Sequence, residues 1–340
     1  MEINSKFLEL ACEKAWEYQG LTYPNPAVGC AIVKNGILVS CEAHKKAGSP
    51  HAEVEALKSA FAALSDNGNQ KEMLSKLQTS HEIHDFLKAN AANLFAECDI
   101  YVTLEPCSHE GRTPSCAALL SLLKPRKVIV GAIEQNSEAV GGAKMLTDSV
   151  VDVVVLKNEA CDELIEPFFR WKNGGNFTFF KLALTMNGRI SGGKISCDES
   201  FRLVHMLRDK IDLLAIGGNT VRVDRPTLDA RLVGGKAPDV LVYSKNDNFE
   251  RDIPLFAVNS RKVKVSNSLE TIKDYNFVMI EGGVGMLMST QKIASHYLFF
   301  ISSQMSANSD LNALDLSFKI LHSRRIDKDL LVWAKRSDNG

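Results

Sequence analysis

Three hundred and forty residues exceed what one hydrophobic core usually organises, so two domains are expected. A hydrophobic share of 45%, 24% charged residues, 22 glycines and 10 prolines exclude collagen-like and extensively disordered chains. Forty basic against 41 acidic residues leave a net charge of −1; no global field recruits nucleic acid or anionic lipid, and an anionic ligand must be met by a local pocket.

The first twenty residues, MEINSKFLELACEKAWEYQG, read as an amphipathic helix without the basic and apolar regions of a signal peptide. No apolar run approaches the roughly 18 to 20 residues of a membrane span. A soluble, cytoplasmic protein is expected, with its eight cysteines as thiols or metal ligands rather than disulfides. Residues 26–41 hold two apolar runs separated by Asn35-Gly36, a hairpin signal. His51 to Leu64 reads as a helix with Ala52, Ala56, Ala60 and Ala63 as a small-residue face. The polar stretch 65–96 looks like an insertion of one or two short helices; His81 and His84 within it read as solvated helix surface. Strands follow at 99–104, 127–133 and 150–156, with a helix at 115–123, an alternation that argues for an α/β layer fold.

The segment RWKNGGN, Arg170 to Asn176, marks a boundary, giving domains at 1–172 and 175–340. Beyond it come strands at 177–184, 212–218, 239–244, 277–283, 297–302 and 330–335, a helix near 198–209 and another from about Gly285. This second half reads as a predominantly β sheet with few, short crossover helices.

His51-Ala52-Glu53 opens a helix, and Cys107 and Cys116 flank a second segment. One histidine and two cysteines suit Zn²⁺ and leave a fourth position for water, while a nearby carboxylate can shuttle its proton to a leaving amine. Zinc nucleobase deaminases use such a set, but their usual spacing is Cys-x-x-Cys where this chain has Cys-x₈-Cys. Taken singly, each part has a plainer reading: a His-Ala-Glu on a helix surface, two cysteines as buried apolar packers.

TYPNPAVGCAIV, His-Ala-Glu and YVTLEPCSHEGRTPSC occur in that order and closely resemble the deaminase half of the bifunctional riboflavin-biosynthesis deaminase–reductase family. The resemblance implies an N-terminal cytidine-deaminase-like α/β/α sandwich holding one zinc by His51, Cys107 and Cys116, with Glu53 as proton shuttle. It further implies that Asn25, His44, His109 and Arg112 line the pocket for a phosphoribosylated pyrimidine. In this family the eight-residue gap between the cysteines is the normal one. The 65–96 insertion exceeds the family's usual length there and need not touch the zinc.

The second half has no Gly-x-Gly-x-x-Gly turn and no Walker loop. Its strand-to-turn EGGVG at 281–285 can instead offer backbone N–H groups to a pyrophosphate. FKLALTMNGRIS, IGGNTVRVDRPTLDARL and VMIEGG resemble the family's reductase half, implying a C-terminal dihydrofolate-reductase-like α/β domain that uses NADPH. By position, Ala183, Thr220, Asp224, Gly283, Val284 and Gly285, on to Leu287, resemble cofactor contacts. Lys181, Arg208, Leu228, Arg231 and Glu281 resemble substrate contacts, the two arginines as phosphate clamps. Ser244 and Lys245, after a strand, are candidates for the cofactor's extra phosphate. Two departures stand out: Asn187 replaces the family's Asp, and the tryptophan expected near 192–196 is missing, leaving the Lys194 stem as a substitute surface.

The expected activity is hydrolytic deamination of a diaminopyrimidinone ribosylamine phosphate followed by reduction of its ribosyl group, in a homo-oligomer. A monofunctional deaminase whose C-terminal half no longer reduces is the alternative the departures raise. A C-terminal module presenting RNA would need a basic or aromatic stripe that the sequence lacks.

Overall fold

The computed structural model describes residues 3–135, 140–311 and 315–337, and the chain divides into two compact units meeting between Lys172 and Asn173. The first unit begins with helix α1 (Lys6–Trp16), hairpin β1 (Gly29–Lys34) and β2 (Ile37–Ala43), and helix α2 (Ala52–Leu64). Helices α3 (Gly68–Lys76) and α4 (Ser80–Asn90) precede β3 (Cys98–Val102), α5 (Cys116–Leu123) and β4 (Lys127–Val130), and α6 (Gly142–Asp148), β5 (Asp152–Val155) and α7 (Glu159–Lys172) complete it. Its sheet order is β2-β1-β3-β4-β5, with β1 antiparallel to both neighbours and β3, β4 and β5 parallel.

Side chains alternate across this sheet, as the two-residue period of a strand requires. Cys30 and Ile32 of β1, Ile100 and Val102 of β3, and Val128 and Val130 of β4 share one buried cluster with α2, α4 and α5. Helices α1 and α7 pack against each other, and α1 also touches β1, β2 and β3. Of the four alanines expected to line the α2 contact, Ala52, Ala56 and Ala60 are buried at i, i+4 spacing, whereas Ala63 is exposed.

The 65–96 insertion contains both α3 and α4. Asn67 caps α3 by accepting from Gln70 N–H, and Thr79 with Glu82 forms a capping box at α4. Leu74, Ile83, Phe86 and Leu87 join the core. His81 is exposed, but His84 is buried at 1% exposure, which corrects the expectation of two solvated histidines. Lying on the same face as Ile83 and Leu87, it is carried inward when α4 docks on α2 and α5.

The second unit comprises β6 (Phe177–Thr185), α8 (Asp198–Arg208), β7 (Leu213–Gly217), α9 (Gly218–Asp224), β8 (Asp239–Tyr243), β9 (Val263–Ser266), β10 (Phe277–Glu281), α10 (Val284–Thr290), β11 (His296–Ser302), β12 (Phe318–Ile326) and β13 (Asp329–Arg336). The eight strands run in the order β12-β13-β11-β6-β10-β7-β8-β9, parallel from β11 to β9 and antiparallel at the β12/β13 end. Phe180, Leu213, Ala215, Leu241, Val278, Ile280 and Tyr297 fill its core. Parallel strands place their following turns along one edge of the sheet, where ligands of open α/β sheets bind.

Candidate active sites

In the first unit, three elements bring the zinc-type ligands together. His51 is the N-cap residue of α2, Cys107 lies in the loop after β3, and Cys116 is the first residue of α5. His51 Nδ1 is 3.6 Å from Cys107 Sγ and 3.5 Å from Cys116 Sγ, and the three donor atoms lie within 4.8 Å of one another. His51 Nε2 meets Thr113 Oγ1 at 3.1 Å. A proton on Nε2 satisfies that contact and leaves the Nδ1 lone pair facing the sulfurs, the tautomer a metal requires. The loop is tied at its base, where Cys107 carbonyl accepts from Ser115 Oγ and Ala117 N–H.

The Cys107 thiol is held below the ordinary thiol range chiefly by its hydrogen bond from Cys116, which does not depend on a proton at His51 Nδ1. Cys116, donating that bond in a buried position, is pushed well up. A bound divalent cation favours loss of the proton from both sulfurs. The donor set, its spacing and its burial fit Zn²⁺. A second group of candidate donors, Cys197, Glu199 and Asp327, lies in the second unit with both carboxylate residues exposed.

Glu53 is 4% exposed in the first turn of α2, and burial pushes its carboxyl up to about 6. A carboxyl so placed exchanges protons near neutral pH, although a divalent ion beside it acts in the opposite direction. His44 is buried too. Its Nδ1 meets Pro50 carbonyl at 3.0 Å and its Nε2 meets the Asn25 amide nitrogen at 3.2 Å. Burial lowers its pKa to about 4, so the ring is neutral, donating to Pro50 and accepting from Asn25. Asn25 is thereby oriented by His44, and the His44 and His51 rings meet edge to face at 5.3 Å. His109 and Arg112 are exposed in the Cys107 loop.

In the second unit, Lys181 and Glu281 are paired neighbours on β6 and β10, and the Arg208 guanidinium bonds both Glu281 oxygens at 3.0 Å. Burial would push the Glu281 carboxyl up, but Arg208 and Lys181 outweigh it and hold it below the usual carboxylate range. Burial lowers the Lys181 pKa. The cluster thus joins three expected substrate residues, with Arg208 already committed to an ion pair. Arg231 differs: its side chain is 60% exposed and pairs with Asp229 at 2.9 Å. Leu228 is buried at a positive φ of 58°, and its carbonyl accepts from Arg261, a residue the sequence reading did not single out.

Thr220 and Asp224 lie on α9, directly after β7, and Ser244 follows β8, so these and the 281–285 turn share the edge beyond the parallel strands. Arg222 donates to Ser244 Oγ and Asn246. Val284 and Gly285 open α10, where N–H groups have no intrahelical acceptor, and among the described residues nothing beyond the glycine's own helix backbone and chain neighbours lies within 4 Å of where a Gly285 Cβ would stand. This open backbone fits a phosphate group. Ala183 is half-buried on β6. Asn187 accepts from Thr185 and from Ser306 N–H and donates to Ser306 carbonyl, so it serves as a local clasp. Lys194 pairs with Asp198 and lies over Phe201 at 5.6 Å, which ties its stem to α8.

Residues 1–132 match the family model described as the cytidine and deoxycytidylate deaminase zinc-binding region. Among curated relatives, the riboflavin biosynthesis protein RibD of Aquifex aeolicus is 29% identical over 99% of this chain and 96% of its own. The RibD of Synechocystis is 34% identical over 70% of this chain, a match spanning only 57% of the relative's length. The Thermotoga maritima diaminohydroxyphosphoribosylaminopyrimidine deaminase/5-amino-6-(5-phosphoribosylamino)uracil reductase superposes with a TM-score of 0.64 at 22% identity, covering 98% of both chains. Acinetobacter baumannii RibD gives 0.61 at 22% identity, covering 98% of this chain and 99% of its own. The architecture is accordingly a cytidine-deaminase-like unit followed by a dihydrofolate-reductase-like unit. Along nearly its whole length the chain is similar to RibD riboflavin-biosynthesis deaminase–reductases, and its His51, Cys107 and Cys116 group lies inside the matched zinc-binding region.

Proposed function

We propose that the protein catalyses both RibD steps: hydrolytic deamination of 2,5-diamino-6-(5-phosphoribosylamino)pyrimidin-4-one, then NADPH-dependent reduction of the ribosyl group to ribityl. The observation that carries the first step is the buried Glu53 carboxyl beside the His51, Cys107 and Cys116 donors. Bound zinc supplies acidification of a water. Glu53 takes a proton and returns it to the departing amine, as burial near neutral pKa allows. Asn25, held by neutral His44, presents its amide to the pyrimidine edge, while His109 and Arg112 are exposed for the phosphate.

For the second step, bound NADPH supplies the hydride. The Val284 and Gly285 backbone and Thr220 hold the cofactor's phosphates, with Asp224 and Ser244 on the same edge. Lys181, Arg208 and Glu281 face the substrate as one buried charged cluster, and Arg231 contributes from the surface. No helix among the described residues is long and apolar enough to cross a membrane, and the zinc thiolates suit a reducing, cytoplasmic compartment. Assembly as a homo-oligomer belongs to this reading and is tested by light scattering of the full chain. Ammonia release that requires zinc, followed by NADPH oxidation that requires the deaminated product, tests the two activities; ammonia without NADPH oxidation selects a monofunctional deaminase.

A further inference from the structure

Glu105 takes no part in the chemistry above, yet it is buried at 5% exposure and its carboxylate is bound to backbone on both oxygens. Oε1 accepts from the N–H groups of Gly141 at 3.2 Å and Ala143 at 2.9 Å, and Oε2 accepts from Glu134 N–H at 3.2 Å. Two further contacts join the same strands of chain. Ser108 Oγ donates to Val140 carbonyl at 2.8 Å, and Gly142 sits so close to Pro106 that a Cβ there would lie 1.7 Å from the Pro106 carbonyl oxygen.

Glu105, Pro106 and Ser108 flank Cys107 on both sides. The ligand peptide is therefore gripped by residues 140–143 from one direction and by the start of α5, through the Cys107 carbonyl, from the other. We propose that Glu105 is a positioning residue of the deaminase site: it locks residues 140–143 onto residues 105–108 and so fixes the Cys107 sulfur and the start of the loop bearing His109 and Arg112. Charge-assisted bonds to backbone are suited to this, since they hold a loop without adding a side chain to the pocket. The inference rests on the zinc-deaminase reading.

The test uses the full zinc-loaded chain as wild type, Glu105→Gln, Ser108→Ala and Gly142→Ala. It follows zinc transfer to a chromophoric chelator, deaminase KM and kcat, melting temperature, and reductase activity as a check on the rest of the chain. Glu105→Gln keeps the shape but turns an NH₂ towards backbone N–H groups. It should weaken zinc retention by about 10- to 100-fold, the usual effect of losing a group that orients a ligand, and raise KM for the pyrimidine while reduction is unchanged. Gly142→Ala, which forces the two segments apart, should reproduce that pattern, and Ser108→Ala should give a smaller shift in the same direction. Zinc transfer and KM indistinguishable from wild type in Glu105→Gln overturn the proposal, even with a lower melting temperature. If Glu105→Gln does not fold, wild-type zinc transfer in both other variants overturns it. Wild-type protein that holds no zinc would instead refute the underlying deaminase reading.

Discussion

Replacing Glu53 by glutamine separates proton transfer from metal binding. The amide matches the carboxylate in shape inside a site where Glu53 is 4% exposed, so α2 and the three donor residues should keep their places and one zinc per chain should remain. What is lost is the group that moves the proton. Positioned acid–base catalysis contributes about 10²- to 10⁴-fold, which is about 2.7 to 5.4 kcal/mol of barrier. The upper half of that range is expected, because His44, the ring against His51, is neutral and engaged on both nitrogens with Pro50 and Asn25 and offers no substitute shuttle. Ammonia release should therefore fall by at least about 10³-fold, with zinc content and NADPH oxidation on pre-deaminated substrate unchanged. Residual ammonia release should also lose the acid limb that protonation of Glu53 gives the wild type. A variant that retains zinc and deaminates within tenfold of wild type would refute the assignment of Glu53.

Cys107→Ala should abolish stoichiometric zinc binding by metal analysis, since the remaining His51 and Cys116 make only two ligands; full occupancy would displace Cys107 from the site. Arg208→Ala leaves buried Glu281 with Lys181 as its remaining cation, so the loss should exceed that of a surface pair but stay below the about 3–5 kcal/mol of an uncompensated buried charge. Chemical denaturation should register that loss, together with a raised KM for the reductase substrate. Arg231→Ala removes only an exposed pair and should cost stability less than about 1 kcal/mol; equal losses in the two variants would contradict the placement of Arg208. Burial lowers the His84 pKa to about 4, below the ordinary 6.5, so the unfolded chain binds the extra proton first and stability should fall as pH drops from about 6.5 towards 4. The slope is at most about 1.4 kcal/mol per pH unit for this group. His84→Leu should flatten it relative to wild type, and an unchanged melting profile between pH 7 and 5 would contradict the burial argument.

Local signals carried the first unit far. Asn35 and Gly36 take the positive φ angles that an Asn-Gly hairpin demands, and short apolar runs marked β1, β3 and β4, which are buried on both faces. Helix α7 was not legible because Pro167 lies inside it, against the usual helix signal, and its end runs into the polar segment read as a linker. Strand β12 is an edge strand whose sequence, FKILHSRRI, has no apolar alternation; its pairing with β13 supplies what the pattern does not. His84 shows the same limit. Its polar neighbours suggest surface, and only the docking of α4 onto α2 and α5 decides otherwise.

His51, Cys107 and Cys116 could be singled out as candidate metal donors because chemistry restricts which residue types serve, and the motifs fix their positions. Lys181, Arg208, Arg231 and Glu281 could be named from the sequence but not joined into a network: that Arg208 closes on Glu281 while Arg231 pairs with Asp229 depends on strand register and helix placement. The clasp around Glu105 had no sequence signal beyond the motif itself, because its partners are backbone N–H groups some thirty to forty residues away.

Two chemically distinct activities in one chain can be told apart by supplying zinc-loaded protein with the diaminopyrimidine substrate and NADPH, and following ammonia and nicotinamide absorbance separately. The expected result is ammonia release with or without NADPH, and NADPH oxidation that starts only as deaminated product forms and survives in Glu53→Gln when that product is added. Ammonia release with no NADPH oxidation under any of these conditions would contradict the account.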